Sequence, residues 1–271
     1  MSHSIDRKLS GLADASDEAL GSSVVHRLDP RAKCVVTVLF VLAVTSFGKY
    51  EVSRLMPFFL YPVVLTALSG IRPVSVWKRT LPAAPFILMM GLFNPLFDRQ
   101  VVLQIGTLTL TGGWMSFFSI AVRSFLAVSG AVLLVLTTRF DRLCLGLERM
   151  GVPRIFVNQL QFLHRFIGVL AGEAQRMLRA HDLRSCEKRP KLTLATFRPL
   201  ISLLLLRAID RAIRIHRAMQ ARGFRGEVPM LHQLSFSWRT DGLFIILWGG
   251  FFIMCRFVDL PGHLFRLAVH S

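Results

Sequence analysis

Arg176-Met177-Leu178-Arg179-Ala180-His181-Asp182-Leu183-Arg184-Ser185 and Arg214-Ile215-His216-Arg217-Ala218-Met219-Gln220-Ala221-Arg222-Gly223 are two copies of one pattern, R-x-x-R-A-x-x-x-R-[SG]. Arginines at i, i+3 and i+8 fall within about 140° of arc at 100° per residue, so each copy gives a helix one basic face. The small residue after the last Arg can end a helix. The second copy follows the first by 38 residues, with the final Arg in register.

Working outward, each copy closes an amphipathic stretch. From Phe156 the apolar residues fall at 156, 160, 163, 167, 170, 174 and 178, a helical stripe, with Gln159, His164, Arg165, Glu173, Arg176 and Arg179 off it. The second stretch puts Ile201, Leu205, Ala208, Ala212, Ile215 and Met219 on one face, and Arg207, Asp210, Arg211, Arg214 and Arg217 on another. Asp210 and Arg214 have the i, i+4 spacing of an ion pair. Between the two lies a short basic segment, Cys186 to Leu192, broken by Pro190. A shorter amphipathic piece, Asp141 to Met150, stops at Gly151 and Pro153.

The chain around this pair reads as membrane-spanning. It has 271 residues, 53% of them hydrophobic, and a mean hydropathy of +0.51, with the apolar residues clustered in runs. Spans are predicted over Cys34 to Gly48, Leu55 to Ser69, Leu81 to Phe97, Trp114 to Thr138 and Leu243 to Val258. Asp29 and Pro30 suit the N-cap and first turn of the first span. Pro82, Pro85 and Pro95 bend or cap the third. Lys49, Tyr50, Glu51 and Arg54 make a turn, Gly70 to Arg79 reads as a basic loop, and Asp98 to Gly113 suits a short hairpin. Basic residues flank alternate ends of the spans, which predicts a cytoplasmic N-terminus and an external C-terminus. The layout is a polar lead-in (1–25), four spans (26–138), a cytoplasmic helical region (139–239), and a last span with an external tail (240–271). The fold class is an all-α integral membrane protein. The polar start, through Asp14 and Glu18, lacks the apolar core of a cleaved signal, so the first span is expected to be permanent.

A net charge of +17 and a pI near 11.3 would point to nucleic acid in a soluble protein. In a membrane protein the same excess follows from Lys and Arg retained in cytoplasmic loops against an anionic leaflet. Nucleic acid is therefore not expected as a partner. Cys34, Cys144, Cys186 and Cys255 form no C-x-x-C pair. His26, His164, His181, His216 and His232 share no face or spacing with carboxylates, so no metal site is expected. There is no G-x-x-x-x-G-K-[ST] loop, so ATP must be handled by another chain. No triad, H-E-x-x-H or paired carboxylates suggest a hydrolase.

The repeated arginines allow two readings. One is a solvated or lipid-headgroup-facing surface. The other is a docking face, favoured by the repeat, by its place at helix ends, and by Arg rather than Lys at all six positions, since guanidinium pairs bidentately with carboxylates. Arg123 lies inside the fourth span. It either contacts protein or water at depth, or reaches the interface by snorkelling. Asn94-Pro95 suits a helix cap or a kink contact. A stand-alone secondary transporter would show inverted repeats and ionisable midplane residues, and only Arg123 qualifies. A basic membrane-surface assembly protein is the third alternative.

The order of parts resembles the T component of the energy-coupling factor transporters, and within it the CbiQ-type proteins of cobalt and nickel importers. His26-Arg27-Leu28-Asp29-Pro30-Arg31-Ala32-Lys33 and the two arginine signatures carry the resemblance, over about residues 24–228. Ala221-Arg222-Gly223 matches the second Ala-Arg-Gly motif of that family, and Phe224-Arg225-Gly226 continues it. At the first, Leu183-Arg184-Ser185 matches only at its Arg.

The resemblance implies a non-catalytic subunit of an ATP-driven importer in the prokaryotic plasma membrane. Two ATP-binding-cassette subunits would use ATP and magnesium, and this chain would bind no cofactor. A substrate-capturing S component, CbiM-like with a CbiN-like companion, would complete the assembly in the lipid bilayer. Arg184 with Ser185, and Arg222 with Ala221 and Gly223, would each insert a helix end into one ATPase, reinforced by Arg179 and Arg217.

Overall fold

A computed structural model describes residues 23–48, 52–92, 101–105, 108–184, 194–224, 226 and 237–257. The helices are α1 (Val24–Arg27), α2 (Pro30–Thr45), α3 (Val52–Leu55), α4 (Leu60–Ser69), α5 (Pro73–Thr80), α6 (Ala84–Leu92), α7 (Gly112–Thr137), α8 (Phe140–Arg149), α9 (Arg154–Arg184), α10 (Leu194–Ala221) and α11 (Leu243–Phe257). Short 3-10 segments, Met56–Phe59 and Leu81–Ala83, lead into α4 and α6, and a π-helical turn, Trp238–Gly242, leads into α11. One antiparallel hairpin, β1 (Val101–Ile105) with β2 (Leu108–Thr111), pairs Leu103 with Leu110 and Ile105 with Leu108. Among the described residues everything else regular is helical. The chain divides into two compact units at residue 146, within α8; the second returns at residue 233 to the first.

The first unit holds the apolar helices. Two of the described helical stretches are long and apolar enough to cross a membrane, Gly113–Thr137 (mean hydropathy 2.1) and Trp238–Phe257 (1.4), and Met56–Ser69 is a shorter apolar one. The Asp29-Pro30 signal works as its chemistry requires. Asp29 is the N-cap of α2, its Oδ1 accepts from the Arg31 amide at 2.9 Å, and Pro30 takes the first helical position. From there Val36, Phe40 and Val44, at i, i+4 and i+8, face inward and are fully buried.

The core is aromatic. Phe40 stacks on Tyr61 with centroids 4.4 Å apart, and Phe252 lies within 6 Å of Phe40, Phe58, Tyr61 and Trp248. Thr37 and Tyr61 share a hydrogen bond at 3.2 Å, which satisfies both buried hydroxyls. α7 comes close to α2 because residue 130 is Gly. A Cβ there would stand 2.9 Å from Phe40 Cδ1.

Polar groups pin both ends of α2. At its start, buried Lys33 donates to the Thr137 carbonyl at 2.8 Å and to Thr138 Oγ1 at 3.3 Å, capping the end of α7. The Asp29 amide donates to Asp241 Oδ1 at 2.9 Å, and Asp241 Oδ2 accepts from the Ser237 amide at 2.9 Å. At its far end, Arg123 Nη2 donates to the Gly48 carbonyl at 3.0 Å and to Ser119 Oγ at 3.2 Å. Arg256 reaches the Ser46 carbonyl at 3.4 Å and stacks over Phe47 at 4.9 Å. Two cations thus meet the carbonyl end of α2, where the helix dipole is negative.

One boundary differs from the sequence expectation. The sequence reads Gly70 to Arg79 as a loop before a span at Leu81. Instead, Gly70 ends α4 at φ +69°, and Pro73 starts α5 in the first-turn position. Lys78 and Arg79 lie in its last turn, where cations favour a helix. The helical path therefore begins at Pro73, with Pro82 in the 3-10 segment and Pro85 in the first turn of α6. The hairpin falls where it was expected. Residues 1–22, Lys49 to Glu51, Asn94-Pro95, Cys186 to Leu192, His232 and the tail after residue 257 lie outside the described residues.

Candidate functional site

The second unit is built on α9 and α10. A helix-end motif sets where α9 can start: Gly151 at φ +103° closes α8, the Val152 amide reaching back to the Leu147 carbonyl at 3.1 Å. Pro153 follows, and Arg154 at the head of α9 pairs with Glu148 at 3.0 Å.

α10 ends in the same manner at its arginine signature. Gly223 adopts φ +80°, a left-handed conformation that a Cβ would disfavour. Its amide donates to the Gln220 carbonyl at 2.9 Å, and the Phe224 amide to the Met219 carbonyl at 3.0 Å. These are the two bonds of a Schellman cap. Ala221 is the last helical residue, Arg222 is the C-cap, and both are exposed. The function of the small residue after the last Arg is thus visible: it turns the chain away and leaves the guanidinium at an open helix end. α9 ends at Arg184, which is exposed, and Ser185 lies outside the described residues.

The helices run antiparallel. Asn158 Nδ2 donates to the Gly226 carbonyl at 2.9 Å near one end, and Arg207 Nη1 to Glu173 Oε1 at 2.5 Å further along. Between these bonds lies an apolar groove of about 370 Å³, lined by Phe162, Phe166 and Leu170 of α9 and by Ala212, Ile215 and Met219 of α10. Phe224, just past the cap, closes it beside Met219. Glu173 also accepts from Arg176 at 2.5 Å, so one carboxylate serves two guanidiniums. The bonds from Arg176 and then Arg207 hold its carboxyl below the ordinary carboxylate range.

Antiparallel pairing places the two signatures apart. From the Glu173–Arg207 bond, Arg184 lies 11 residues along α9 and Arg222 lies 15 residues along α10, in opposite directions. At 1.5 Å per residue these are arms of about 17 Å and about 23 Å, so the tips stand roughly 40 Å apart. Arg179 and Arg217 are exposed on the approach to each tip. Among the described residues, no carboxylate pairs with Arg179, Arg184, Arg217 or Arg222. Arg123, the remaining candidate, belongs to the first unit and caps α2 as described above.

Two sequence expectations change here. The pair Asp210–Arg214 does not form; both side chains line a recess of about 330 Å³ with Glu173, Arg207 and Arg211, and the bond across goes to Glu173. The stripe predicted on α9 largely faces outward, with Phe156, Leu163 and Ile167 exposed. Of that stripe Leu170 joins the groove, and Phe162 and Phe166 supply the rest. The α10 stripe lines the groove at Ala208, Ala212, Ile215 and Met219, while its Ile201 and Leu205 are exposed. No His, Cys, Asp and Glu residues come together in threes among the described residues.

With this geometry in place, the relatives are informative. A family model described as CbiQ, Cobalt transport protein, matches residues 21–232. An energy-coupling factor transporter transmembrane protein, EcfT, of Listeria innocua is 30% identical over 237 residues, covering 81% of this chain and 87% of that protein. The EcfT of Streptococcus equi is 25% identical over 252 residues, covering 87% and 93%. That of Bacillus subtilis is 28% identical over 220 residues, covering 76% and 82%.

Proposed function

This chain belongs to the CbiQ family of cobalt transport proteins, membrane components of energy-coupling factor transporters, and from that premise we propose that it couples two ATPases to a substrate-capturing partner. The observation that carries the proposal is the pair of exposed, arginine-ended helix termini, roughly 40 Å apart at 1.5 Å per residue, on one antiparallel helix pair. A single helix end would suit one partner. Two ends facing opposite ways, each without a carboxylate among the described residues, suit two.

Each tip acts by insertion. Arg184 and Arg222 enter a groove on one ATP-binding-cassette subunit each and pair bidentately with carboxylates there, with Arg179 and Arg217 extending the contact. The Schellman cap at Gly223 keeps the chain clear of the second tip. ATP, with magnesium, binds and is hydrolysed in the partners. Closure of the two ATPases moves the tips relative to each other, and α9 and α10 pass that motion to a membrane S component of CbiM-like type, with a CbiN-like companion. The transported ion is cobalt or nickel. The protein is a multi-pass component of the prokaryotic inner membrane, with a cytoplasmic N-terminus.

Purification of the tagged chain from its native membrane tests this directly. Two nucleotide-binding subunits should come with the wild-type chain. The Arg184→Glu, Arg222→Glu double variant should insert into the membrane but lose both, and each single variant should lose one contact. Truncating a buried, paired charge at an interface costs about 2–5 kcal/mol, so reversal should lower association at least ~30-fold. Retained association in the double variant would remove the assignment, and a lone chain that transports would replace it with a secondary transporter.

A further inference from the structure

Along α5 and the 3-10 segment after it, the exposed side chains Val74, Trp77 and Leu81 recur at i, i+3 and i+7, so they follow one side of the helical path. Lys78, also exposed, comes four residues after Val74 and stands beside that stripe. Arg72, the N-cap of α5, is exposed as well. Among the described residues no carboxylate pairs with Arg72 or Lys78. Val76 and Thr80 make the opposite, buried side. A tryptophan, apolar neighbours and unneutralised cations on one short helix are the make-up of a segment lying at a membrane surface.

Between this path and α7 lies an apolar crevice of about 340 Å³, lined by Phe59, Trp77, Leu81, Ala84, Ile87 and Phe125. The Trp77 and Phe125 rings meet there with centroids 5.3 Å apart. Further on, α6 and α7 close together: a Cβ at residue 91 would stand 2.8 Å from Phe117 Cδ2. Thr80 also lines the crevice, but its hydroxyl donates to the Val76 carbonyl at 2.9 Å. Apart from the Trp77 indole N–H, the described lining offers no free side-chain donor or acceptor, so what enters is hydrocarbon. Beyond the crevice Phe86, Met89 and Leu92 are exposed, an apolar surface that suits a bilayer rather than water.

We propose that this crevice is an anionic phospholipid site: one acyl chain enters beside Trp77 and Phe125, and the headgroup phosphate meets Lys78, with Arg72 adding to the local positive potential. Hydrocarbon alone gives no selectivity, because a chain that leaves the bilayer for an apolar crevice exchanges one apolar environment for another. The cations supply it, each favouring an anionic headgroup about five-fold near a membrane surface. Trp77, with an apolar ring and one N–H, suits the level at which acyl chains meet headgroups. On the topology proposed above, this border faces the cytoplasmic leaflet, which is the anionic one.

The test uses the full chain, purified with the subunits that accompany it, in phosphatidylcholine vesicles. A trace of phosphatidylglycerol or of phosphatidylcholine is added, each with a photoactivatable diazirine on one acyl chain, and mass spectrometry locates the adducts after illumination. Phosphatidylglycerol should label the peptides holding Trp77 to Ile87 and Phe125 at least ~5-fold more than phosphatidylcholine does. Arg72→Gln with Lys78→Gln should bring the two probes to equal yield, and raised salt should narrow the difference in the wild-type chain. Ala84→Phe fills the crevice and should remove adducts of both probes there, while those around Ile246 and Ile253, exposed on α11, persist. Equal labelling by the two probes in the wild-type chain, or a preference that survives the double Gln variant, would overturn the site. A crevice unlabelled by either probe beside a labelled α11 would mean that another subunit or a second copy of this chain covers it, and would overturn it equally. Both leaflets of these vesicles have one composition, so the outcomes do not depend on the orientation of the chain. That topology is tested separately: in a Cys186→Ser chain, a membrane-impermeant thiol reagent should not reach Arg72→Cys from outside intact cells, and labelling would overturn the topology while leaving the site.

Discussion

Removing the Asp241 carboxylate should loosen the membrane unit more than any single apolar truncation at its surface. Asp241 is buried and accepts from two backbone amides, Asp29 and Ser237, each at 2.9 Å. The first of these joins positions 212 residues apart, the N-cap of α2 and the turn that starts α11. A hydrogen bond to a charged group contributes about 1.5–3 kcal/mol, and a buried amide left unpaired costs about 1–3 kcal/mol. Counting each bond once, Asp241→Ala should cost about 3–5 kcal/mol. The carboxylate also lies at the positive end of α11, worth about 0.3–1 kcal/mol more. Asp241→Asn keeps one acceptor oxygen but turns an NH₂ toward the other amide, so its cost should fall between Asp and Ala. The assay is thermal unfolding of the purified chain in detergent. At about 2–4 °C per kcal/mol for a chain of this size, the Ala variant should melt at least ~6 °C lower. A shift under about 2 °C, or an Asn variant less stable than Ala, would refute the assignment of both bonds to this side chain.

Three further outcomes follow from local geometry. Gly223→Ala forces a Cβ into φ +80° and should cost about 1 kcal/mol. It should weaken ATPase binding with helix content intact by circular dichroism, and Gly223→Asn should be milder. Gly130→Val should destabilise by about 1–3 kcal/mol in the same melting assay, because Phe40, 2.9 Å from the new Cβ, is fully buried against Phe58, Tyr61 and Phe252; Phe40→Leu should recover part of the loss. The stabilising contribution of Glu173 should follow pH with a definite sign. Its carboxyl lies below the ordinary value of 4.5 in the folded chain, so the contribution is complete above that value and is lost as pH falls through the depressed one. Arg176 faces it from its own helix and Arg207 from α10, with Asp210, Arg211 and Arg214 around the recess. The difference in melting temperature between wild type and Glu173→Gln should be flat from pH 8 to pH 5 and shrink only in more acidic buffer.

What could be read from sequence was whatever local chemistry decides. Asp29-Pro30 marks a helix start because a short acceptor and a missing N–H suit the first turn wherever they occur. Gly151 and Gly223 mark helix ends because only a residue without Cβ takes positive φ freely. The hairpin was legible as alternation between Val101 and Leu110. Long-range choices were not. Nothing near Asp241 announces that its partner is the Asp29 amide. Lys33 read as a border cation, yet its ammonium is buried against the Thr137 carbonyl. On α9 the apolar residues cover more than one face, so a stripe drawn through Phe156, Leu163 and Ile167 fits the helical period as well as one through Phe162 and Phe166. Only the partner helix decides between them.

The cations of this chain sort by what they meet, and the sorting separates fold from function. Lys33 ends on the Thr137 carbonyl at the last residue of α7, and Arg123 and Arg256 end on the Gly48 and Ser46 carbonyls just past α2. Arg176 and Arg207 share Glu173. These five meet partners within the chain itself, and removing any of them should be felt as lost stability. Arg179, Arg184, Arg217 and Arg222 are exposed and meet no carboxylate among the described residues. Their guanidiniums contribute little to the isolated chain, so Arg184→Ala and Arg222→Ala should leave its melting temperature within about 1–2 °C. An exposed guanidinium with no carboxylate partner among the described residues, set twice at the end of a capped or terminating helix, is open to a partner, as the proposed coupling role requires.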